Sequence, residues 1–585
     1  VTTAPDFDQV VGGPAPASRR AARATGPGAA ASTASGATPA ATTSAGATPA
    51  RAGTATPAAT TPATATGSRL DRWWARVLST PLRQRIWAWA GPIAVTLLAA
   101  VLRIVDLGRP SSLVFDETYY VKDAWSMLTL GYEGQWPDGA DASFIAGATD
   151  VFTSEGAYIA HPPLGKWIIS LGMQAFGAGD PFAWRISTAI VGVLAVALVC
   201  AIAFALFRST ILSTIAGFLM AIDGLAVVMS RTALLDNSLM FLTLLGFGAV
   251  LLDRQQSAGR LAEWVERRRA AGRSTDLGPA LWWRPWLITA GLLFGLATAV
   301  KWSGLYFLAF FAIYTLLVDA AARRRAGVLF WASSTAVRQA PVSFLLMVPI
   351  AIAAYLATWT GWLRTDGGYD RSWAADQVAT GVTPTPGWLP AALQSLWHYH
   401  QSIYATNLAQ ETPHGYQADA LSWPLLLRPT AFFYRSSVEG ENGCGFGTCA
   451  EFVTALPNPL IWWLAVGATL FLLARFILRR EWQIGLILAG VAAGYLPWLL
   501  YLDRTVFQFY TIVFLPYLIL ALTAVIGLVL GRPTDTEWRR VAGIRTVAIG
   551  LALIVIVATY FWSMWTGLQV SGPFQQLRYW LPGWR

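Results

Sequence analysis

From residue 86 onward the chain repeats one pattern, apolar runs of about 17–25 residues separated by polar stretches. A helix of that length crosses about 30 Å of hydrocarbon. Runs lie near 86–105, 186–207, 210–229, 233–252, 286–300, 303–322, 341–359, 458–477, 483–501, 507–530 and 546–562. They predict an all-α integral membrane protein with about eleven transmembrane helices. Two polar intervals are long, about 108–183 and 360–457. In the first, Pro163 to Ala178 is apolar but too short to span, and is expected to lie on the membrane as a helix. In the second, Pro390 to Thr406 carries the pattern of another surface helix. Ahead of the first run, Arg69 to Arg76 sets cations beside Trp73 and Trp74, as an interfacial helix does.

Residues 1–68 are different. Repeats such as Ala55-Thr56-Pro57-Ala58-Ala59-Thr60-Thr61-Pro62 cannot bury enough apolar surface to offset backbone ordering, so a disordered tail is expected. It contains no apolar core of the kind a signal peptide has. The catalytic membrane unit is expected over 69–562, followed by a tail over 563–585.

Composition agrees with the pattern. Of 585 residues 55% are hydrophobic and 13% are charged, about half the charge of a soluble domain. The formal net charge of +10 does not point to nucleic acid, because the basic residues fall in clusters between apolar runs. Arg208; Arg254 to Arg284; Arg323 to Arg338; Arg475 to Arg480; and Arg532 to Arg545 occupy alternate gaps. By the positive-inside rule the N-terminus is cytoplasmic, the two long loops are outside, and so is the C-terminus. Trp264 to Arg273 is then expected as a cytoplasmic surface helix facing anionic lipid. The Arg/Ala/Gly bias suggests a high-GC bacterial source, hence a plasma membrane.

The charges that topology leaves over gather at one depth, near the outer leaflet: Asp116, Glu117, His161, Arg185, Asp223, Arg231, Asp236, Lys301 and Arg504. Ionisable groups at membrane depth pair with one another or line a polar cavity. Arginine and lysine suit a phosphate, and a carboxylate beside them could take a proton from an attacking alcohol. No Gly-rich nucleotide cradle precedes a helix, which favours a lipid-phosphate donor over a nucleotide. His398 and His400 are two apart and would point to different helix faces. No Cys/His set has zinc spacing, so no metal site is expected. A divalent cation at the leaving phosphate stays an open alternative. Cys444 and Cys449 lie outside at a spacing that permits a disulfide, and Cys200 reads as a small apolar core residue.

Several segments, taken in order, resemble the protein O-mannosyltransferases of the GT-C superfamily, the actinobacterial members most of all. They are Phe115-Asp116-Glu117, His161-Pro162-Pro163-Leu164-Gly165-Lys166, Arg185, and Ser230-Arg231-Thr232-Ala233-Leu234-Leu235-Asp236-Asn237. Lys301-Trp302-Ser303-Gly304-Leu305, Ser422-Trp423-Pro424-Leu425 and Arg504-Thr505-Val506-Phe507 with Pro516 complete the set. The resemblance implies inverting transfer of mannose from a polyprenyl-phosphate-mannose donor to Ser/Thr hydroxyls of proteins crossing the membrane; beyond that donor it names no cofactor, and the divalent cation stays open. It makes Asp116 the general base and Glu117 an orienting acid. Arg185, Arg504, Lys301 and Arg231 become candidates for the donor phosphate, and His161, Asp236 and His414 for acceptor contact or support. The second outer loop is too short for the MIR domain of eukaryotic members. Phe507-Gln508-Phe509-Tyr510 also stands where those members tend to carry histidines. A GT-C enzyme acting on a glycolipid or cell-wall glycan would share the topology and the acidic pair. A transporter would place its charges nearer the midplane and show repeats.

Overall fold

The computed structural model describes residues 67–384 and 386–585. The expected disordered tail lies outside the described residues except for Gly67 and Ser68. There α1 (Arg69–Val77) begins with a reciprocal cap, Ser68 accepting from the Asp71 amide and Asp71 accepting from the Ser68 amide.

The first span is α2 (Pro81–Ile104). Helices α3 (Glu117–Leu130) and α4 (Leu164–Phe176) lie in the first long loop, and α5 (Pro181–Phe207) returns through the membrane. Asp180 caps α5 and Pro181 opens it, the arrangement that leaves fewest amides unsatisfied. Next come α6 (Thr210–Ile222) and α7 (Gly224–Arg231), an apolar pair bent by 60°. The break is at Asp223, whose extended backbone lets one carboxylate oxygen accept from the Ala226 amide and the other from Asn458. At Gly224 a side chain would collide with the Trp565 ring and the Leu456 carbonyl, so glycine is required for the close approach.

Beyond the break run α8 (Asp236–Ala270), α9 (Pro285–Val300), α10 (Gly304–Arg325) and α11 (Ala340–Thr358). The second long loop carries α12 (Ala391–Leu408). Four helices finish the membrane body: α13 (Pro459–Arg479), α14 (Trp482–Tyr495), α15 (Leu515–Leu530) and α16 (Glu537–Thr566). Arg540 of α16 grips Asp71, tying α1 to the last span.

The helical membrane architecture agrees with expectation, and every predicted run has a helix over it. The count of eleven does not follow from length. Among the described residues eight helices are long and apolar enough to cross, and up to nine if the bent pair is one span. Helices α9 and α15 have 16 residues each, about 24 Å. The run expected from 507 instead begins with a 3-10 turn at Gln508–Val513. Non-helical backbone at such depth is tolerated where protein buries it or a cavity adjoins it.

Three further expectations change. The segment from Trp264 is no separate surface helix but the end of the 35-residue α8. Arg284, counted among the inside arginines, is buried between Asp253 and Asp319, 2.5 Å from each, and so clamps α8 to α10. The protein is also not wholly α. A hairpin of β1 (Thr430–Val438) and β2 (Thr448–Ala455), with a disulfide from Cys444 in its loop to Cys449 in β2, accepts β3 (Val570–Ser571) as a third strand. The C-terminal segment thus packs on the second long loop, and Trp584 donates to the Leu426 carbonyl.

Candidate active site

The residues before α3 are fixed by one buried ion pair. Both oxygens of Glu117 face the Arg185 guanidinium, at 2.8 Å each, and also accept from the amides of Ala233 (2.8 Å) and Val114 (3.0 Å). Arg185 spends its remaining donors on the Pro110 and Ser112 carbonyls, 2.8 Å each. Both side chains are 0% exposed. Buried charges are retained when every hydrogen-bonding site is filled, as it is here.

Asp116 therefore projects from a rigid corner. The preceding Phe115 is held at a φ of +49°, which non-glycine residues avoid, with its ring stacked on Phe432 at 4.9 Å. Asp116 lines an outer cavity of about 710 Å³, shared with Tyr120, Asp123, His161, Lys166 and Arg504. Burial pushes its carboxyl up to about 6; Lys301 opposes the shift, Asp236 adds to it, and the Tyr120 hydroxyl, 3.5 Å away, opposes it. Burial holds the Tyr120 hydroxyl well above its ordinary range, so it remains a proton donor.

A second cavity, about 110 Å³, lies against the first, and His161, Asn407, Arg504 and Tyr510 line both. Its charged end is Lys301, 2.7 Å from Asp236 and 4.8 Å from the centre of the Tyr510 ring. The rest is aromatic and apolar, with Trp302, Tyr306, Phe307, Trp498 and Val513. Arg504 donates to Asn407 Oδ1 at 2.9 Å, while its Nε is buried without a hydrogen-bond partner. An arginine with donors uncommitted at the junction of a polar and an apolar cavity suits a phosphate carrying a hydrocarbon tail.

Four residues singled out in the sequence act elsewhere. Arg185 is not free for a phosphate, because Glu117 and backbone carbonyls take its donors. Arg231 is likewise committed, donating to the carbonyls of Leu102, Arg103, Val105 and Asp106 and so capping α2. Glu117 lines neither cavity and touches no substrate space; it positions Asp116. Asp223 holds the helix break. Asp236, Lys301, Arg504 and His161 do line the cavities. Burial, then Lys301, Lys166 and Arg504, depress the His161 pKa well below its ordinary value, leaving a neutral imidazole. His414 joins the outer wall, its Nδ1 accepting from the Tyr416 amide and its ring 5.1 Å from Phe507.

Several site residues carried no signal of their own. Tyr120 and Asp123 follow Asp116 by four and seven residues, a helical spacing that could have marked one face of α3. Asn407 and Tyr510 could not be singled out. Tyr355 and His400 share a 2.6 Å hydrogen bond, and Tyr355 accepts from Trp302 at 3.1 Å, which ties α12 to the wall beside Lys301. His398 faces the other way, stacked on Trp373. Among the described residues no three His, Cys, Asp or Glu side chains form a metal-binding group.

Residues 93–267 match the dolichyl-phosphate-mannose-protein mannosyltransferase family, and residues 392–584 match the C-terminal four-transmembrane region of protein O-mannosyltransferases. A polyprenol-phosphate-mannose--protein mannosyltransferase of Mycolicibacterium smegmatis is 34% identical over 511 residues, covering 86% of this chain and 94% of that protein. Proteins of the same name are 35% identical in Mycobacterium tuberculosis, covering 86% and 92%, and 30% identical in Corynebacterium glutamicum, covering 85% and 93%. The fold is shared with the Saccharomyces cerevisiae protein O-mannosyltransferase Pmt1-Pmt2 complex bound to the sugar donor, at a TM-score of 0.61, 15% identity, and coverage of 89% and 95%. These matches and these relatives place the chain in the dolichyl-phosphate-mannose-protein mannosyltransferase family.

Proposed function

We propose that the protein transfers mannose from a polyprenyl-phosphate-mannose donor to Ser/Thr hydroxyls of secreted or membrane proteins, at the outer face of a bacterial plasma membrane, with acceptors entering as they are translocated. The catalytic unit is 69–562, with residues 1–68 in the cytoplasm and 563–585 outside. The observation that carries this reading is the pair of adjoining cavities, with Asp116 in the outer one and Arg504 at their junction.

In this mechanism the acceptor hydroxyl lies against Asp116 and the donor phosphate against Arg504 and Lys301. Asp116 takes the hydroxyl proton as the oxygen attacks the anomeric carbon. The bond from that carbon to the phosphate oxygen breaks, and polyprenyl phosphate departs with its charge held by the two cations. A single displacement inverts the anomeric configuration, with base and leaving group on opposite sides of the sugar. The aromatic walls around Tyr306, Phe307 and Trp498 take the first prenyl units.

The test is to incubate membranes carrying the protein with radiolabelled polyprenyl-phosphate-mannose and a Ser/Thr-rich peptide. Label on the peptide that a base-catalysed elimination releases supports the reading. Label found only in glycolipid or cell-wall glycan overturns it.

A further inference from the structure

Three acceptor-side features of the outer cavity lie along α3. Asp116 precedes the helix with helical backbone angles, and Tyr120 and Asp123 follow one and two turns on. Seven residues at about 1.5 Å each separate the two acids by roughly 10 Å along the axis. A peptide in polyproline II conformation advances about 3.1 Å per residue and presents every third side chain on one face. Residues three apart therefore sit roughly 9 Å apart and point the same way, nearly the span between the acids.

The charge on Asp123 is only partly compensated. Lys166 lies 2.5 Å from Glu133 and 3.7 Å from Asp123, so its ammonium is committed mainly to Glu133. Lys122, the other lysine of the cavity, is held by Asp141 at 2.7 Å. Two acids share one lysine at this wall, while Asp123 keeps 18% of its side chain exposed. Arg504 lines this cavity and the donor cavity beside it.

We propose that Asp123 is a specificity-determining residue, a subsite that selects acceptors carrying a lysine or arginine three positions from the mannosylated hydroxyl. The subsite rests on the reading of Asp116 as the base and deepens it by naming the acceptor class. An extended acceptor lies along α3 with its hydroxyl at Asp116 and the cation at Asp123. Desolvation in a cavity makes such a pair worth more than an exposed one.

The experiment uses the full-length protein in membranes, unlabelled acceptor peptides with a single threonine, and labelled donor. Four peptides carry alanine at both third positions, lysine three before, lysine three after, or glutamate in the preferred place. One lysine peptide is expected to exceed the alanine peptide about fivefold in kcat/KM, with the glutamate peptide below it. In Asp123→Asn the lysine-to-alanine ratio falls to near one; because both peptides meet the same preparation, lost folded protein cancels. Equal turnover of all four peptides, or an unchanged ratio in Asp123→Asn, overturns the subsite alone. If no peptide is mannosylated while a glycolipid takes label, the reading of the reaction itself falls.

Discussion

A base must be ionised to accept a proton, and Asp116 lies where burial makes ionisation harder. With its carboxyl pushed up to about 6, the proposed mechanism makes the acid form inactive and the carboxylate active. Transfer should therefore fall about tenfold per pH unit below 6 and level off above it, measured as kcat/KM against pH. A profile flat down to pH 5 would exclude this carboxylate as the base. Asp116→Asn should cut turnover by about 10²–10⁴ with membrane insertion intact, read by label transfer and by blotting of membranes. Arg504→Ala should raise the donor KM more than the acceptor KM. Arg504→Lys should recover only part, since a point charge replaces a planar two-pronged donor.

At the scale of elements, what holds Asp116 in place is the Glu117–Arg185 pair joining α3 to α5. Removing one partner of a buried pair strands the other charge, at a cost of about 3–5 kcal/mol. Arg185→Ala is accordingly expected to lower the unfolding temperature in detergent, whereas Arg504→Ala leaves it nearly unchanged. Equal effects on the melting temperature would remove the distinction between positioning and binding residues. Arg185, Arg231 and Arg504 are the same residue type at one depth, which is all that charge and hydropathy reveal. Their roles separate because one guanidinium meets helix-end carbonyls, another a carboxylate and the third a cavity. The β1–β2 hairpin was equally invisible: its turn is rich in Gly and polar residues, and its pairing with β3 joins residues over a hundred positions apart.

For the whole molecule the orientation can be read chemically. Trp388→Cys, in the second outer loop and 81% exposed, should be labelled by an impermeant maleimide in intact cells. Arg267→Cys, exposed at the far end of α8, should be labelled only after lysis. Cys200, 2% exposed, stays silent in both. The reverse pattern would invert the proposed topology and put Asp116 in the cytoplasm.

The sequence by itself determined the membrane class, the positions of the spans, the depth at which charge collects, and the resemblance that separated Asp116 from Glu117. Those are one-dimensional properties: burial in lipid demands long apolar runs, and backbone satisfaction within lipid demands helices. Only the tertiary structure decided which charged groups face open space. It also decided that the start of α15 unwinds beside the cavities, and that α12 delivers Asn407 to Arg504. These depend on directions of side chains across distant elements, for which a chain read residue by residue carries no coordinate.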